Sequence, residues 1–272
     1  MRAVEAQHGG YTHRPHARAA MLALVREVSP QLAHCELTHL ARSAIDARRA
    51  ALQHRAYTQA LQSLGCTLEW LPPLPDYPDS VFVEDTAVLL AEVAVITRPG
   101  ASSRRGETAT VAAALERHAP TARISEPGCL DGGDVLHIGR KLYVGASGRS
   151  NAAGIAQLAQ LAGAYGYTVE PVALSGCLHL KSACSLIAPD LLLINPAWVN
   201  RETFGGLRTI AVAEREPHAA NTLTAGGTTL VSAAYPETRR RLEAAGVRTQ
   251  AIEVTELHKA EGGLTCMSLL LG

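Results

Sequence analysis

Leu130-Asp-Gly-Gly-Asp134 runs into Val135-Leu-His-Ile138, turns at Gly139-Arg-Lys141 and continues as Leu142-Tyr-Val-Gly145. A polar doublet, a short apolar strand, a tight turn and a second apolar strand make one supersecondary unit. The same unit recurs in both directions along the chain. Upstream, Val81-Phe-Val-Glu-Asp85 leads into Thr86-Ala-Val-Leu-Leu90, a turn at Ala91-Glu92, and Val93-Ala-Val-Ile-Thr97. Downstream, His179-Leu-Lys-Ser182 leads into Cys184-Ser-Leu-Ile187, a turn at Pro189-Asp190, and Leu191-Leu-Leu-Ile194. His218-Ala-Ala-Asn221 precedes Thr222-Leu-Thr224, a Gly226-Gly227 turn and Thr229-Leu-Val-Ser232, and Gly263-Leu-Thr-Cys266 precedes the apolar run 267–271. With Glu84, Asp131, Ser182, Asn221 and Cys266 as equivalent points, the spacings are 47, 51, 39 and 45 residues. A period of that size marks a radial or stacked array with one unit per repeat. A radial array would gather the polar doublets at its axis and so bring distant side chains into one pocket.

Helical patterns separate several of these units. Ile45, Leu52, Ala56, Tyr57, Ala60, Leu61 and Leu64 fall at three-to-four spacing, and Gly65 stands where a C-cap glycine belongs. Helices are also predicted over 107–118, 151–164 and 236–245. Met21, Leu22, Leu24, Val25 and Val28 predict an amphipathic helix over 18–28, after an irregular start containing His8-Gly9-Gly10 and His13-Arg14-Pro15-His16. Thr67-Leu-Glu-Trp-Leu71 reads as a strand, followed by a Pro-rich loop to Pro78. No Ser-, Gly- or Pro-rich linker divides the chain, so the expectation is a single α/β domain over residues 1–272.

Composition narrows the function. The 25 Lys and Arg balance the 25 Asp and Glu, without the basic surplus of a nucleic-acid reader. Hydrophobic residues are 47%, enough for a large core, yet no apolar stretch approaches the ~20 residues that span a bilayer. The best candidate, 87–97, is interrupted by Glu92 and has the length of a strand pair. The first ten residues have no apolar signal core, so a cytoplasmic location is expected. Cys35, Cys66, Cys129, Cys177, Cys184 and Cys266 form no C-x-x-C pair, and reduced thiols are the default. No His, Cys or acidic spacing matches a zinc site, and no metal or organic cofactor is expected.

Several carboxylates around one pocket suggest a cationic ligand, and the planar fork of a guanidinium suits them best. Glu84 and Asp85 would point to opposite faces of a strand, so a shared pocket requires a bend or strand end there. The glycines of Asp131-Gly-Gly-Asp134 and Glu261-Gly-Gly263 allow close backbone approach but lack the spacing of a phosphate loop. For nucleophilic catalysis the strongest pair is Cys266 with His179, a thiolate and a proton carrier adjacent in space rather than in sequence. Cys35, Cys177, Cys184 and His13, His39, His54, His118 and His258 read as packing residues.

Five segments carry a specific resemblance: Asp79-Ser-Val-Phe-Val-Glu-Asp-Thr-Ala-Val88, Ile96-Thr-Arg-Pro-Gly-Ala-Ser-Ser-Arg-Arg105, Leu130-Asp-Gly-Gly-Asp-Val-Leu136, Leu178-His-Leu-Lys-Ser182 and Leu264-Thr-Cys-Met-Ser268. In this order they resemble the dimethylarginine dimethylaminohydrolase family of the guanidine-modifying, or pentein, superfamily. The resemblance implies a five-bladed α/β propeller of ββαβ repeats with pseudo-fivefold symmetry. It implies Cys266 as nucleophile, His179 as general acid/base, and Asp131, Glu84 and Asp85 around a substrate guanidinium. It further implies Asp79 and the Leu37 carbonyl at the substrate amino group, Arg104 and Arg149 at its carboxylate, and the Ala260 backbone as another contact. Glu261 stands where some relatives have Asp. The implied partner is a small methylated arginine, with no nucleic acid and no membrane; a homodimer is compatible. Three other readings are an arginine deiminase-like hydrolase, a metal-dependent amidohydrolase and a non-catalytic binding propeller.

Overall fold

The computed structural model describes residues 21–272. The irregular start expected before residue 17 lies outside the described residues. The first sheet contains β1 (Leu22–Val25) and β2 (Thr67–Trp70), joined by α1 (Ala47–Ser63). The second contains β3 (Ala87–Leu89), β4 (Ala94–Ile96) and, after α2 (Thr108–Leu115), β5 (Thr121–Arg123). The third contains β6 (Val135–Ile138), β7 (Lys141–Gly145) and, after α3 (Ala152–Gly163), β8 (Thr168–Val172). A four-residue helix, α4 (Leu180–Ala183), precedes the fourth, built from β9 (Cys184–Ala188), β10 (Leu191–Ile194) and β11 (Arg208–Ala211). The fifth contains β12 (Leu223–Ala225), β13 (Thr228–Ser232) and, after α5 (Pro236–Ala244), β14 (Thr249–Ile252). A short α6 (Thr255–His258) then leads toward β15 (Leu269–Leu271), which returns to pair with β1.

Every sheet has the same plan. An antiparallel pair, such as Ala87↔Ile96 or Val135↔Val144, is followed by a third strand parallel to its middle member. The pair in the first sheet is β15 with β1, in the register Leu22↔Leu271, so opposite ends of the described chain complete one sheet. Five apolar clusters join the sheets in cyclic order. Leu24 and Leu269 meet Ala94 and Ile96; Val88 and Val95 meet Val135 and Val144. Leu136 and Tyr143 meet Leu192 and Ile194, and Leu191 and Leu193 meet Val231. Leu230 and Ile252 then meet Ala23 and Val25, which returns the packing to the first sheet.

The local chemistry explains the elements. Asp46 caps α1 by accepting from the Arg48 and Arg49 amides at 2.9 and 3.1 Å. Gly65 follows the helix at φ +93°, the left-handed conformation that ends helices. Between β12 and β13, Gly226 and Gly227 both have positive φ (55° and 78°), as a type I′ two-residue hairpin requires.

The expected helix over 18–28 is not formed. Residues 18–20 lie outside the described residues, and Leu22–Val25 is a strand. Ala23 and Val25 enter one apolar cluster and Leu24 another, so both faces of this middle strand are buried. A strand covered on both faces loses its polar alternation and imitates helical spacing over a short window. The segment 87–97 is the hairpin of β3 and β4, as its length suggests. Among the described residues no helix is long and apolar enough to cross a membrane.

Burial of β1 has a measurable consequence. Leu24→Ala should lower the unfolding free energy by about 2–5 kcal/mol, the usual range for a fully buried leucine. Leu52→Ala on the 59%-exposed face of α1 should stay within about 0.5 kcal/mol of the unmodified protein. Denaturant unfolding of both variants checks this, and equal effects would remove β1 from the core.

Candidate active site

The polar doublets converge through two backbone turns that pack face to face. Val83–Thr86 forms a 3-10 turn ahead of β3, and Gly132–Asp134 forms one ahead of β6. A Cβ on Gly132 would lie 2.0 Å from the Glu84 carbonyl oxygen, and one on Gly133 would lie 2.7 Å from both Asp85 Oδ1 and His179 Nδ1. These glycines serve close approach, with φ outside the left-handed region. The Gly133 amide donates to Asp85 Oδ1 at 3.1 Å.

The 3-10 turn is the strand end that Glu84 and Asp85 require, but it sends them to different partners. Asp85 accepts from Arg104 Nη1 at 2.5 Å and lies 3.8 Å from His179 Nδ1. Glu84 accepts from Lys181 Nζ at 2.5 Å and Thr265 Oγ1 at 2.6 Å. A small, partly open cavity is lined by Asp79, Asp85, Arg104, Arg149, His179 and Cys266 together with Ala260. Glu84 faces a separate space with Lys181 and Thr265. Asp131 is fully buried one layer back and accepts from His179 Nε2 at 3.0 Å and the Gly100 amide at 2.8 Å. Leu37 is half-buried beside the cavity; its neighbour Glu36 donates its amide to Asp79 Oδ2 at 3.1 Å.

The two arginines differ. Each nitrogen of Arg104 already donates to protein: Nε and Nη2 to Glu107, Nη1 to Asp85, and Nη2 also to the Phe82 carbonyl at 2.9 Å. Arg149 lines the same cavity, and its guanidinium donates within the described residues only to Thr38 Oγ1, at 3.2 Å.

Cys266 follows the Gly262-Gly263 pair and sits in a turn before β15. Its sulfur accepts from the Gly263 amide at 3.3 Å, and the Glu84 amide donates to its carbonyl at 3.0 Å. Tyr57 of α1 shares a 2.7 Å hydrogen bond with Ser268, which anchors the same segment from below.

Electrostatics separate the thiol from the imidazole. Burial, reinforced by the Glu84 and Asp85 charges, pushes the Cys266 thiol up to about 12, so it rests protonated. Burial alone would depress His179, but Asp85, Asp134 and Asp131 outweigh it and hold the ring at about 9. Burial likewise opposes ionisation of Asp85, yet the His179 and Arg104 cations bring it down to about 2. Asp85, Asp131 and His179 place ligand atoms within 4.8 Å of one another. That cluster already holds its own countercharges, the imidazolium and Arg104.

Several contributors escaped the sequence reading. Asp134 accepts from the Leu180 amide at 3.1 Å and from Ser150 Oγ at 2.6 Å, and Ser150 Oγ accepts from the Asp131 amide at 3.2 Å. It thereby fixes the residue after His179 and the carboxylate that His179 meets. Glu107, the partner of Arg104 three residues along, shows the i,i+3 spacing that sequence can reveal. Lys181 and Asn221 lay within quoted motifs without a role; Asn221 Oδ1 accepts from the Thr265 amide at 3.0 Å beside the cysteine.

Comparison with known proteins is consistent with this geometry. Residues 36–269 match the family model described as N,N dimethylarginine dimethylhydrolase, eukaryotic. The chain is 42% identical over 250 residues to an N(G),N(G)-dimethylarginine dimethylaminohydrolase of Streptomyces coelicolor, covering 92% of this chain and 96% of that protein. It is 36% identical over 226 residues to the protein of that name from Pseudomonas aeruginosa, covering 82% and 89%. A solved structure of a mutant of the Pseudomonas aeruginosa protein complexed with citrulline superposes with a TM-score of 0.88 at 34% identity, covering 92% of this chain and 98% of that one.

The charge arrangement predicts the titration of His179. Its ring should titrate near pH 9 by NMR, and Asp131→Asn should move the midpoint down. Since the folded value lies above the ordinary ~6.5, the stabilisation by the charged ring is complete below about pH 6.5. It is lost as the pH rises through about 9. An unshifted midpoint in the variant would separate Asp131 from the imidazole.

Proposed function

Since the chain belongs to the dimethylarginine dimethylaminohydrolase family, we propose that it hydrolyses N-omega-methylated arginines to citrulline and dimethylamine or methylamine. The observation that carries this reading is the single cavity in which a cysteine, an imidazolium and a carboxylate stand beside Asp79 and Arg149. We read residues 1–272 as one catalytic domain with its five sheets set around an axis as propeller blades. The cyclic order of the apolar clusters supports that arrangement.

The substrate guanidinium sits against Asp85, its amino group meets Asp79 and the Leu37 carbonyl, and its carboxylate meets Arg149. Arg104 lines the carboxylate end while its own bonds hold Asp85 and Glu107. Ala260 contributes a backbone contact. Binding a cation offsets the Glu84 and Asp85 charges that keep Cys266 protonated, so the thiol proton leaves to solvent as substrate enters. The thiolate attacks the guanidinium carbon. Protonated His179, aligned by Asp131, gives its proton to the departing amine, and a covalent thiouronium remains on Cys266. The now neutral His179 takes a proton from water. The resulting hydroxide adds to the same carbon, the carbon–sulfur bond breaks, the hydroxyl proton passes to the departing sulfur, and citrulline leaves. Each turnover thereby returns the thiol and the imidazolium of the resting protein.

Three experiments test this chemistry. Cys266→Ser should form citrulline at a rate lower by at least 10³-fold while still binding substrate, since an unactivated hydroxyl is a much weaker nucleophile than a thiolate. Acid-quenched native protein should carry its adduct on the peptide with Cys266; an adduct on Cys177 or Cys184 would refute the mechanism. Arginine turned over faster than its methylated forms would assign the chain to a deiminase instead.

Arg149→Ala should raise KM roughly tenfold or more for methylarginine, through loss of a charge-assisted contact. A methylguanidine without the amino-acid end should be almost unaffected. Equal losses on both compounds would make Arg149 structural.

A further inference from the structure

The Asp131-Gly-Gly-Asp134 motif closes on a carboxylate that the reaction just described leaves unused. Asp134 is fully buried and stands outside the lining of the catalytic cavity. Burial pushes its carboxyl up to about 6 against the opposing pull of the His179 cation, so it is ionised at neutral pH. Room is made for it: a Cβ on Gly145 would lie 2.6 Å from Asp134 Oδ1. An ion kept away from water needs donors for its lone pairs. Asp134 finds three, and each leads to a residue of the proposed mechanism.

The Leu180 amide donates to Oδ1 at 3.1 Å, which fixes the chain at the first residue after His179. Ser150 Oγ donates to Oδ2 at 2.6 Å and itself accepts from the Asp131 amide at 3.2 Å. Ser147 Oγ donates to the same Oδ2 at 2.5 Å and accepts from the Arg149 amide at 3.0 Å. The last contact spans two residues, the pattern by which a serine hydroxyl shapes a turn. Both serines lie in the loop between β7 and α3, whereas Leu180 opens α4 ahead of the fourth sheet. One carboxylate therefore joins two neighbouring repeats. Its charge also sets the polarity of each relay, because the hydroxyls donate to Oδ2 and keep their lone pairs for the amides.

We propose that Asp134 is a positioning residue that holds Arg149, the clasp for the substrate carboxylate, in register with the proton-transfer pair His179 and Asp131. The inference deepens the proposed function and rests on it for its kinetic consequence. Its physical basis is independent of activity: one anion orders three amides, two of them through separate serine branches. The Ser147 branch reaches the binding end, and the Ser150 branch reaches the reacting end. A small misplacement of the first costs affinity, and of the second costs rate.

Hydrogen exchange of the three amides, together with steady-state kinetics, tests the two branches separately. Ser147→Ala should speed exchange of the Arg149 amide roughly tenfold and leave Asp131 and Leu180 protected. Its KM for methylarginine should rise roughly fivefold with kcat nearly unchanged, the loss expected for one hydrogen bond. Ser150→Ala should speed exchange at Asp131 alone and lower kcat roughly fivefold with KM nearly unchanged. Asp134→Asn removes the charge and one acceptor oxygen, so it should speed all three amides, raise KM and lower kcat. Adding either serine substitution to Asp134→Asn should then change KM or kcat by less than about twofold, because the branch is already cut. Serine variants that alter KM and kcat alike would overturn the proposal. So would full additivity in the double variants, or amides still protected in Asp134→Asn. Should Asp134→Asn fail to fold, the split between the two serine variants still decides. If the native protein forms no citrulline, the function fails, while the exchange pattern still decides the positioning.

Discussion

Everything chemical in this molecule depends on two turns approaching more closely than side chains allow. Gly132 and Gly133 let the turn before β6 lie against the turn before β3, and the carboxylate of Asp85 is thereby trapped between an amide, a guanidinium and an imidazole. Remove that contact and the charges lose their order. His179 would no longer be raised by Asp85, and Arg104 would be a buried cation with only Glu107 as its ion-pair partner. Buried ions without partners are among the costliest defects a fold can carry, so the approach of these backbones is also a condition of stability.

The resting electrostatics assign the same groups a second task. Burial together with the Glu84 and Asp85 charges keeps the Cys266 thiol protonated, and the carboxylates around His179 keep its ring charged. A neutral or anionic electrophile of similar size meets a thiol rather than a thiolate. In the proposed mechanism selectivity for guanidinium thus enters at the ionisation of the nucleophile, beyond the contacts of the cavity wall.

The periodic units were legible because each begins with polar residues that a strand interior would exclude, and because turn residues such as Pro189-Asp190 and Gly226-Gly227 divide the hairpins. The third strand was legible in the first sheet, as Thr67–Trp70, but not in the other four. Thr121–Arg123 and Arg208–Ala211 are short and half-exposed, and three or four residues hold too few apolar positions to display a period. Leu22–Val25 misled for the opposite reason, since burial on both faces leaves no polar positions to count. At the site, the pairing of Cys266 with His179 followed from residue type and resemblance. The division of labour between Glu84 and Asp85 did not, since their partners Lys181 and Arg104 are fixed by tertiary packing. Glu261 accepts from the His39 amide more than 200 residues away, and no local pattern announces such a contact.

The pairing of β15 with β1 also bears on the order in which the molecule assembles. Four of the sheets are built from contiguous segments and need only local loop closures. The first sheet waits for strands from opposite ends of the described chain, and closing so long a loop carries the largest entropic cost and the slowest search. Cys266 lies three residues before β15, in the segment which that last docking fixes. A folding chain with four sheets in place therefore holds His179 and Asp131 together while its thiol is still at large. Reactivity requires that closure as well as the other four sheets.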